Sequence, residues 1–304
     1  MSTADVTGPA GPMTSARRQP APLPGQPAAP VMHWIRFLIS ELRLIFLRWR
    51  NLALLAVLAA LPVLIGVALK LSAHGGGGGG QGPPFISQIA GNGVFLTLAS
   101  LTVLLTLVLP LVVAVVAGDS VAGEAGHGTL RYLLAIPAGR ARLLGVKYAA
   151  VVIFCLAACV VVTAASLAVG SALFPVGPVT LLSGTTISLG AGLLRLVFVT
   201  LYVAGAMAAL AAIGLAISTL TEHPIGAIAA ILVLALASEV SDSVPQFAVV
   251  HPYLPTHWWL SFDALLRSPI AWPDLVHGLT SFVLYAIIFG AIAWARFSTA
   301  DVTS

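Results

Sequence analysis

One segment of the sequence brings together residue types that could carry function, and it lies between the second and third apolar blocks. It runs from Gly118 to Arg140 and combines acidic residues, clustered glycines, a Leu-Leu pair, a proline and basic residues. The patterns G-x-x-x-x-G-K-[ST], H-E-x-x-H, C-x-x-C and the nucleophile elbow do not occur anywhere in the sequence. We therefore predict no catalytic residue and no metal site in this chain.

The order of residues in this segment predicts a short capped helix. Three glycines break the preceding apolar block, a threonine can cap the next helix, leucines form its apolar face, and a proline ends it. These residues, in chain order, are Gly123, Gly126, Gly128, Thr129, Leu130, Leu133, Leu134 and Pro137, with Glu124 before and Arg140 after the helix. An apolar face inside a polar rim is typical of a helix that docks on another protein.

The elements that position this segment are membrane helices. The chain of 304 residues is 59% hydrophobic and 8% charged, with a mean hydropathy of +1.03. A soluble domain carries roughly 25% charged residues. The apolar residues come in blocks of about 20, the length of a helix that crosses a bilayer. The expected spans cover about 52–71, 94–116, 148–173, 193–218, 225–238 and 279–294, with prolines inside the first two.

The predicted fold is an all-α membrane protein with an N-terminal amphipathic elbow helix, six transmembrane helices and the short helix between spans two and three. The expected divisions are a disordered tail over 1–31, the interfacial elbow over 32–51, the six-helix domain over 52–297 and a C-terminal tail over 298–304. The tail is rich in Pro, Ala, Gly, Ser and Thr, which cannot form a core.

The elbow has two faces at helical spacing. Trp34, Leu38, Leu42, Ile45 and Trp49 form an apolar stripe, and Arg36, Arg43 and Arg50 follow at seven-residue intervals on the opposite face. Such a helix lies in the membrane interface with its arginines towards lipid phosphates. A plain solvated helix before the first span is the alternative, and the two tryptophans favour the interface.

The positions of basic residues predict the orientation. Nine Lys or Arg residues flank the spans on the elbow side, against three on the other side. By the positive-inside rule, both termini and the loop between spans two and three are cytoplasmic, and the protein is a multi-pass protein of the cell membrane.

The positions of the acidic residues indicate whether transport by this protein could be driven by an ion gradient. Every Asp and Glu falls in a tail, in a loop or at the end of a span. A transporter driven by an ion gradient usually buries a carboxylate in the membrane. Energy for uphill movement must therefore come from a partner. A membrane-embedded enzyme would need polar residues that converge at one depth, and the sequence indicates no such set.

The loop and the span layout resemble those of type-2 ATP-binding-cassette (ABC) export permeases. Glu124, the Gly128-Thr129-Leu130 step, the Leu133-Leu134 pair, Pro137 and Arg140 match the coupling region of that family in order. The resemblance covers about residues 32–297, with a fifth span that is shorter than expected. It implies a separate nucleotide-binding ABC ATPase that holds ATP and Mg²⁺, and a second permease copy. Because apolar and small residues dominate the spans, the exported substrate is expected to be amphiphilic, such as a drug, a lipid-linked molecule or a peptide. No cofactor is expected in this chain.

A non-transporting membrane scaffold that docks a cytoplasmic partner is the alternative function, because a docking loop would serve it equally well. Binding of nucleic acid is not expected, since the basic residues flank the spans.

The external segment before the last span combines prolines with aromatic residues. It runs from Glu239 to Asp274 and is expected to form short half-inserted helices anchored by aromatics at the outer interface. Arg195, near the outer end of span four, is expected to pair with an acidic group of this segment, namely Glu239, Asp242 or Asp263; plain snorkelling towards the headgroups is the alternative. His251, His257 and Asp263 are too loosely spaced to favour a metal site over interfacial packing.

Overall fold

The computed structural model describes residues 30–75, 92–126 and 140–299. Within these ranges the α-helices are α1 (Pro30–Leu47), α2 (Trp49–Gly75), α3 (Val94–Thr106), α4 (Val108–Gly126), α5 (Arg140–Leu173), α6 (Leu189–Leu220), α7 (Pro224–Asp242) and α8 (Trp272–Thr299). A hairpin of β1 (Val179–Thr180) and β2 (Thr186–Ile187) precedes α6. Three 3-10 helices, Pro245–Phe247, His251–Tyr253 and Trp259–Leu266, join α7 to α8.

Five of these helices are long and apolar enough to cross a membrane, and the bent pair of α3 and α4 raises the number to six if it counts as one span. The all-α membrane fold predicted from the sequence is confirmed. We call the end of the bundle that carries α1 the elbow end, and the end that carries the β-hairpin and the 3-10 helices the far end. The fifth span is longer than predicted, because α7 continues through the polar residues after Ser238 as far as Asp242.

The predicted single elbow over 32–51 is in fact two helices. α1 ends at Leu47 and α2 begins at Trp49, so the chain breaks at Arg48. The side-chain amide of Asn51 donates to the carbonyl of Ile45 at 2.9 Å, and this bond stabilises the turn between α1 and α2. Trp49 and Arg50 therefore belong to the first turn of the first span, which corrects their assignment to the elbow.

The second span is broken rather than continuous. α3 and α4 meet at Leu107 with a bend of 53°. Pro110 explains the position of the break, since it has no N–H to donate to the carbonyl of Thr106 and its ring clashes with that carbonyl. The sequence analysis placed Pro110 inside one span, whereas the structure makes α3 a separate short helix.

The core lies along α6, since 72% of the most apolar stretch of this helix is buried. α4, α5, α7 and α8 pack around it. Small residues permit close approach of α4 to its neighbours: a Cβ on Gly118 would lie 2.9 Å from Ile228, and one on Gly214 would lie 2.8 Å from Ala117. In a membrane, where the solvent is as apolar as the core, such close contacts supply the packing energy between helices.

α3 and α5 touch through their backbones at the far end. A Cβ on Gly93 would lie 2.5 Å from the carbonyl carbon of Gly170, and one on Gly170 would lie 3.0 Å from that of Gly93. Asn92 fixes the start of α3, since its side chain accepts from the N–H of Val94 and donates to the carbonyls of Gly177 and Pro178.

Gly93→Ala is expected to lower the free energy of unfolding by about 3 kcal/mol, because the added methyl group has only backbone to displace. Gly145→Ala is the matched control, as a Cβ there meets nothing within 4 Å. Inside α5 this control should be neutral or stabilising by about 0.5–1 kcal/mol. Thermal unfolding of both variants in detergent micelles measures the difference. Equal stability of the two would contradict the backbone contact.

Candidate functional site

A buried cluster of charged side chains joins three helices at the elbow end. The ammonium group of Lys147 on α5 lies 2.5 Å from a carboxylate oxygen of Glu124 on α4 and 3.5 Å from one of Glu41 on α1. The lysine side chain is 3% exposed and that of Glu41 is 8% exposed. A buried charge is tolerated only when it is paired and hydrogen-bonded. Lys147 therefore fixes α1 and α4 relative to α5.

A second set of ion pairs lies beside the first. Arg48, at the break between α1 and α2, and Arg50, in the first turn of α2, both pair with Asp119 on α4; the distance from the Arg50 guanidinium is 2.8 Å. Asp119 is 10% exposed, whereas both arginines are about half exposed. A cavity of about 40 Å³ between the two sets is lined by residues of both. We call the six residues Glu41, Arg48, Arg50, Asp119, Glu124 and Lys147 the elbow cluster.

The elbow cluster stands at the base of the predicted docking loop. α4 ends at Gly126, two residues after Glu124, and α5 begins at Arg140, seven residues before Lys147. The ion pair between Glu124 and Lys147 thus joins the two helices that carry the loop. Six predicted loop residues lie outside the residues that the structure describes: Gly128, Thr129, Leu130, Leu133, Leu134 and Pro137.

A serine from α6 fixes the same part of α4. The hydroxyl of Ser218 donates to the carbonyl of Gly118 at 2.8 Å and accepts from the N–H of Ala122 at 2.9 Å. These two groups are four residues apart, so the hydroxyl lies beside one rung of the α4 hydrogen-bond ladder. Among the described residues, five helices are therefore connected by polar contacts at the elbow end: α1, α2, α4, α5 and α6.

A family model described as "ABC-2 family transporter protein" matches residues 46–238, which is more than half of the chain. The chain belongs to the ABC-2 transporter family. A search for similar curated proteins found no match. Five of the six elbow-cluster residues lie in the matched part of this ABC-2 permease: Arg48, Arg50, Asp119, Glu124 and Lys147.

The elbow of the permease meets the bundle with part of its apolar stripe. Leu38, Leu42 and Ile45 are half-buried, whereas Trp34 and Trp49 are 38% and 82% exposed. Arg36 and Arg43 are exposed and line an open groove of about 630 Å³ along α1. Arg50 differs from these two arginines, since it pairs with Asp119. The expectation that all three arginines face lipid phosphates therefore needs correction at Arg50.

At the far end, the predicted ion pair of Arg195 does not form among the described residues. Its guanidinium donates to two backbone carbonyls, those of Leu265 at 2.7 Å and Arg267 at 3.0 Å. Asp242 pairs with His257 at 2.6 Å and Asp263 with Arg267 at 3.2 Å. Carbonyls at the end of the last 3-10 helix satisfy the arginine without a carboxylate, and Glu239 is not among its partners.

Arg195→Gln is expected to destabilise the far end by about 2 kcal/mol, because a charged donor to two carbonyls is lost. Hydrogen exchange of the amides in 259–267 measures the change and should become faster. Arg267→Gln is the matched control: it removes an exposed pair with Asp263 worth about 0.5 kcal/mol or less. Exchange that is unchanged in the Arg195 variant would contradict the role of the guanidinium.

The sequence analysis missed four members of the elbow cluster. It counted Arg48 and Lys147 only as basic residues that set the orientation, and it assigned no partner to Glu41 or Asp119. The pairs join residues 106 and 71 positions apart, which hydropathy cannot connect. One signal was present: Glu41 lies at the edge of the apolar stripe between Leu38 and Ile45. A carboxylate on an apolar face requires a buried cation.

Proposed function

We propose that this ABC-2 permease is the transmembrane subunit of an exporter that moves an amphiphilic substrate out of the cell, driven by ATP hydrolysis in a separate ATPase chain. The substrate is a drug, a lipid-linked molecule or a peptide. ATP and Mg²⁺ bind the partner. A second permease copy, identical or different, completes the transport unit. The elbow end lies in the cytoplasm and the protein in the cell membrane, on the nine-to-three balance of basic residues.

The observation that carries this proposal is the elbow cluster at the base of the 127–139 loop. A force on the loop reaches α4 through Glu124 and α5 through Lys147. Glu124 lies within one helical turn of the loop, and Lys147 lies about two turns from it. The ion pairs of Glu41 and Asp119 pass the displacement to α1 and to the start of α2. A rigid connection of this kind converts closure of an ATPase into a change in the packing of the spans.

Co-expression with a candidate ABC ATPase subunit tests the proposal. The ATPase should co-purify with the permease, and a fluorescent amphiphile should stimulate its ATP hydrolysis and accumulate in inside-out vesicles in the presence of ATP. A stable complex without stimulated hydrolysis or accumulation would favour the scaffold. The lack of any complex with the ATPase would contradict the exporter.

A further inference from the structure

Five hydroxyl side chains lie on three helices below the far end of the bundle, and two of them, Thr163 and Thr200, are in contact. Thr97 and Ser100 lie on α3, Thr163 and Ser166 on α5, and Thr200 on α6. All but Thr163 are buried, and Thr97, Ser100 and Ser166 are 0% exposed. We call these five residues the hydroxyl layer.

Helical geometry places the layer between α3 and α5. These two helices run antiparallel, and their backbones touch where Gly93 faces Gly170. Thr97 lies four residues after Gly93, and Ser166 lies four residues before Gly170, so the two are at the same level. In the same way, Ser100 lies seven residues after Gly93 and Thr163 seven residues before Gly170. On an α-helix, steps of four and seven residues turn by only about 40° and 20° from the starting face. Both pairs therefore lie on the faces that the two glycines share.

The hydrogen bonds of the layer are incomplete on α3. Ser166 donates to the carbonyl of Val162 at 2.7 Å, and Thr200 donates to that of Leu196 at 2.8 Å. The hydroxyls of Thr163 and Thr200 are 2.8 Å apart, so Thr163 is the donor between them. In the part of the chain that the structure describes, the hydroxyls of Thr97 and Ser100 have no hydrogen-bond partner.

Two buried hydroxyls without a partner are unfavourable, since each has lost its water without a replacement. In a membrane helix a threonine or serine usually bonds to a backbone carbonyl one turn back, as Thr102 does on the exposed face of the same helix. Thr97 and Ser100 make no such bond among the described residues, and the helix that carries them packs on α5. An unsatisfied pair of this kind is a functional-site candidate in a protein that handles amphiphiles.

We propose that the hydroxyl layer binds the neutral, oxygen-bearing head of an amphiphile, such as an ester or a hydroxyl group, with Thr97 and Ser100 as its ligands. This proposal rests on the proposed export function, whose substrate class it narrows. A charged head does not fit, because the five members carry no countercharge and an unpaired ion is costly at this depth. α3 covers the layer in this structure, and it is a separate helix from α4, with a bend of 53° at Leu107.

Binding of radiolabelled monoolein to the purified permease in phosphatidylcholine nanodiscs tests the proposal. Monoolein carries a neutral head with ester and hydroxyl oxygens. The expected result is saturable binding that 1-octadecene, which has no head, does not compete. Each hydroxyl removed should weaken binding about fivefold, so Thr97→Val with Ser100→Ala should weaken it about 25-fold. Thr102→Val is the matched control on the exposed face of α3 and should bind as the parent does.

Thermal unfolding separates this result from a folding defect. Removal of an unpartnered hydroxyl should leave the melting temperature unchanged or raise it, whereas Thr163→Val breaks a formed bond and should lower it. If the double variant does not fold, Ser100→Ala alone serves, with a fivefold effect. Three results would overturn the proposal: unaltered monoolein binding in these variants, competition by 1-octadecene, or no binding of monoolein to the parent.

The binding measurement uses the permease alone, without ATPase or ATP. If the parent permease does not bind monoolein, the proposed neutral-headed substrate is wrong. Co-purification and stimulated hydrolysis would still test export independently. Conversely, monoolein binding in a chain that recruits no ATPase would leave the hydroxyl layer in place and contradict the exporter.

Discussion

Lys147→Met is expected to lower the free energy of unfolding by about 3–5 kcal/mol, because it removes the cation that the buried carboxylate of Glu41 and the partly buried carboxylate of Glu124 share. Methionine fills a similar volume, so the loss reports on charge rather than on packing. Denaturant unfolding in mixed micelles, followed by helical circular dichroism, measures it. The lost stability should appear as a lower midpoint with an unchanged slope.

A neutral version of the same cluster is the matched control. When Lys147→Met is combined with Glu41→Gln and Glu124→Gln, no buried charge is left over, and most of the stability should return. Arg296→Met removes an exposed cation near the elbow end of α8 and should change the free energy of unfolding by no more than about 0.5 kcal/mol. A Lys147 variant as stable as the parent would show that the ion pairs do not hold α1 and α4 to α5.

The membrane spans could be predicted from the sequence because hydropathy is a local property. Each predicted block lies inside an observed helix, or inside the bent pair of α3 and α4. The helix ends moved outwards because polar residues such as Arg140 and Asp242 continue the helical backbone beyond the apolar block. The two breaks are harder to place. Pro110 was recognised, yet its effect falls three residues earlier, at Leu107.

The contacts that hold the candidate site together could not be read from spacing. Lys147 meets Glu41 only because α1 folds back onto α5, and Arg48 meets Asp119 only because the chain turns at residue 48. Arg195 shows the opposite error: a charged residue suggested a charged partner, whereas the backbone carbonyls of a 3-10 helix satisfy it. The docking helix itself stays a prediction, since residues 127–139 lie outside the described ranges.

Leu134→Asp is expected to abolish co-purification of the ATPase. If this leucine fills an apolar pocket of the partner, its loss removes about 2 kcal/mol of burial, which is about 30-fold in affinity. The buried carboxylate adds a further penalty because it has no cation to meet it. Leu182→Asp is the matched control: it makes the same change at a half-exposed leucine next to the far-end hairpin and should leave assembly unchanged.

Glu124→Ala should give a different result at the same loop. Glu124 lies in α4 and contacts Lys147, so the complex with the ATPase should form, while the push on the loop no longer reaches α5 through an ion pair. Substrate-stimulated ATP hydrolysis and vesicle accumulation should therefore fall while co-purification stays intact. Loss of assembly in both variants would mean that Glu124 shapes the loop rather than transmits its movement. Normal assembly and normal stimulation in both would make the loop an ordinary connector, and energy would have to enter the permease elsewhere.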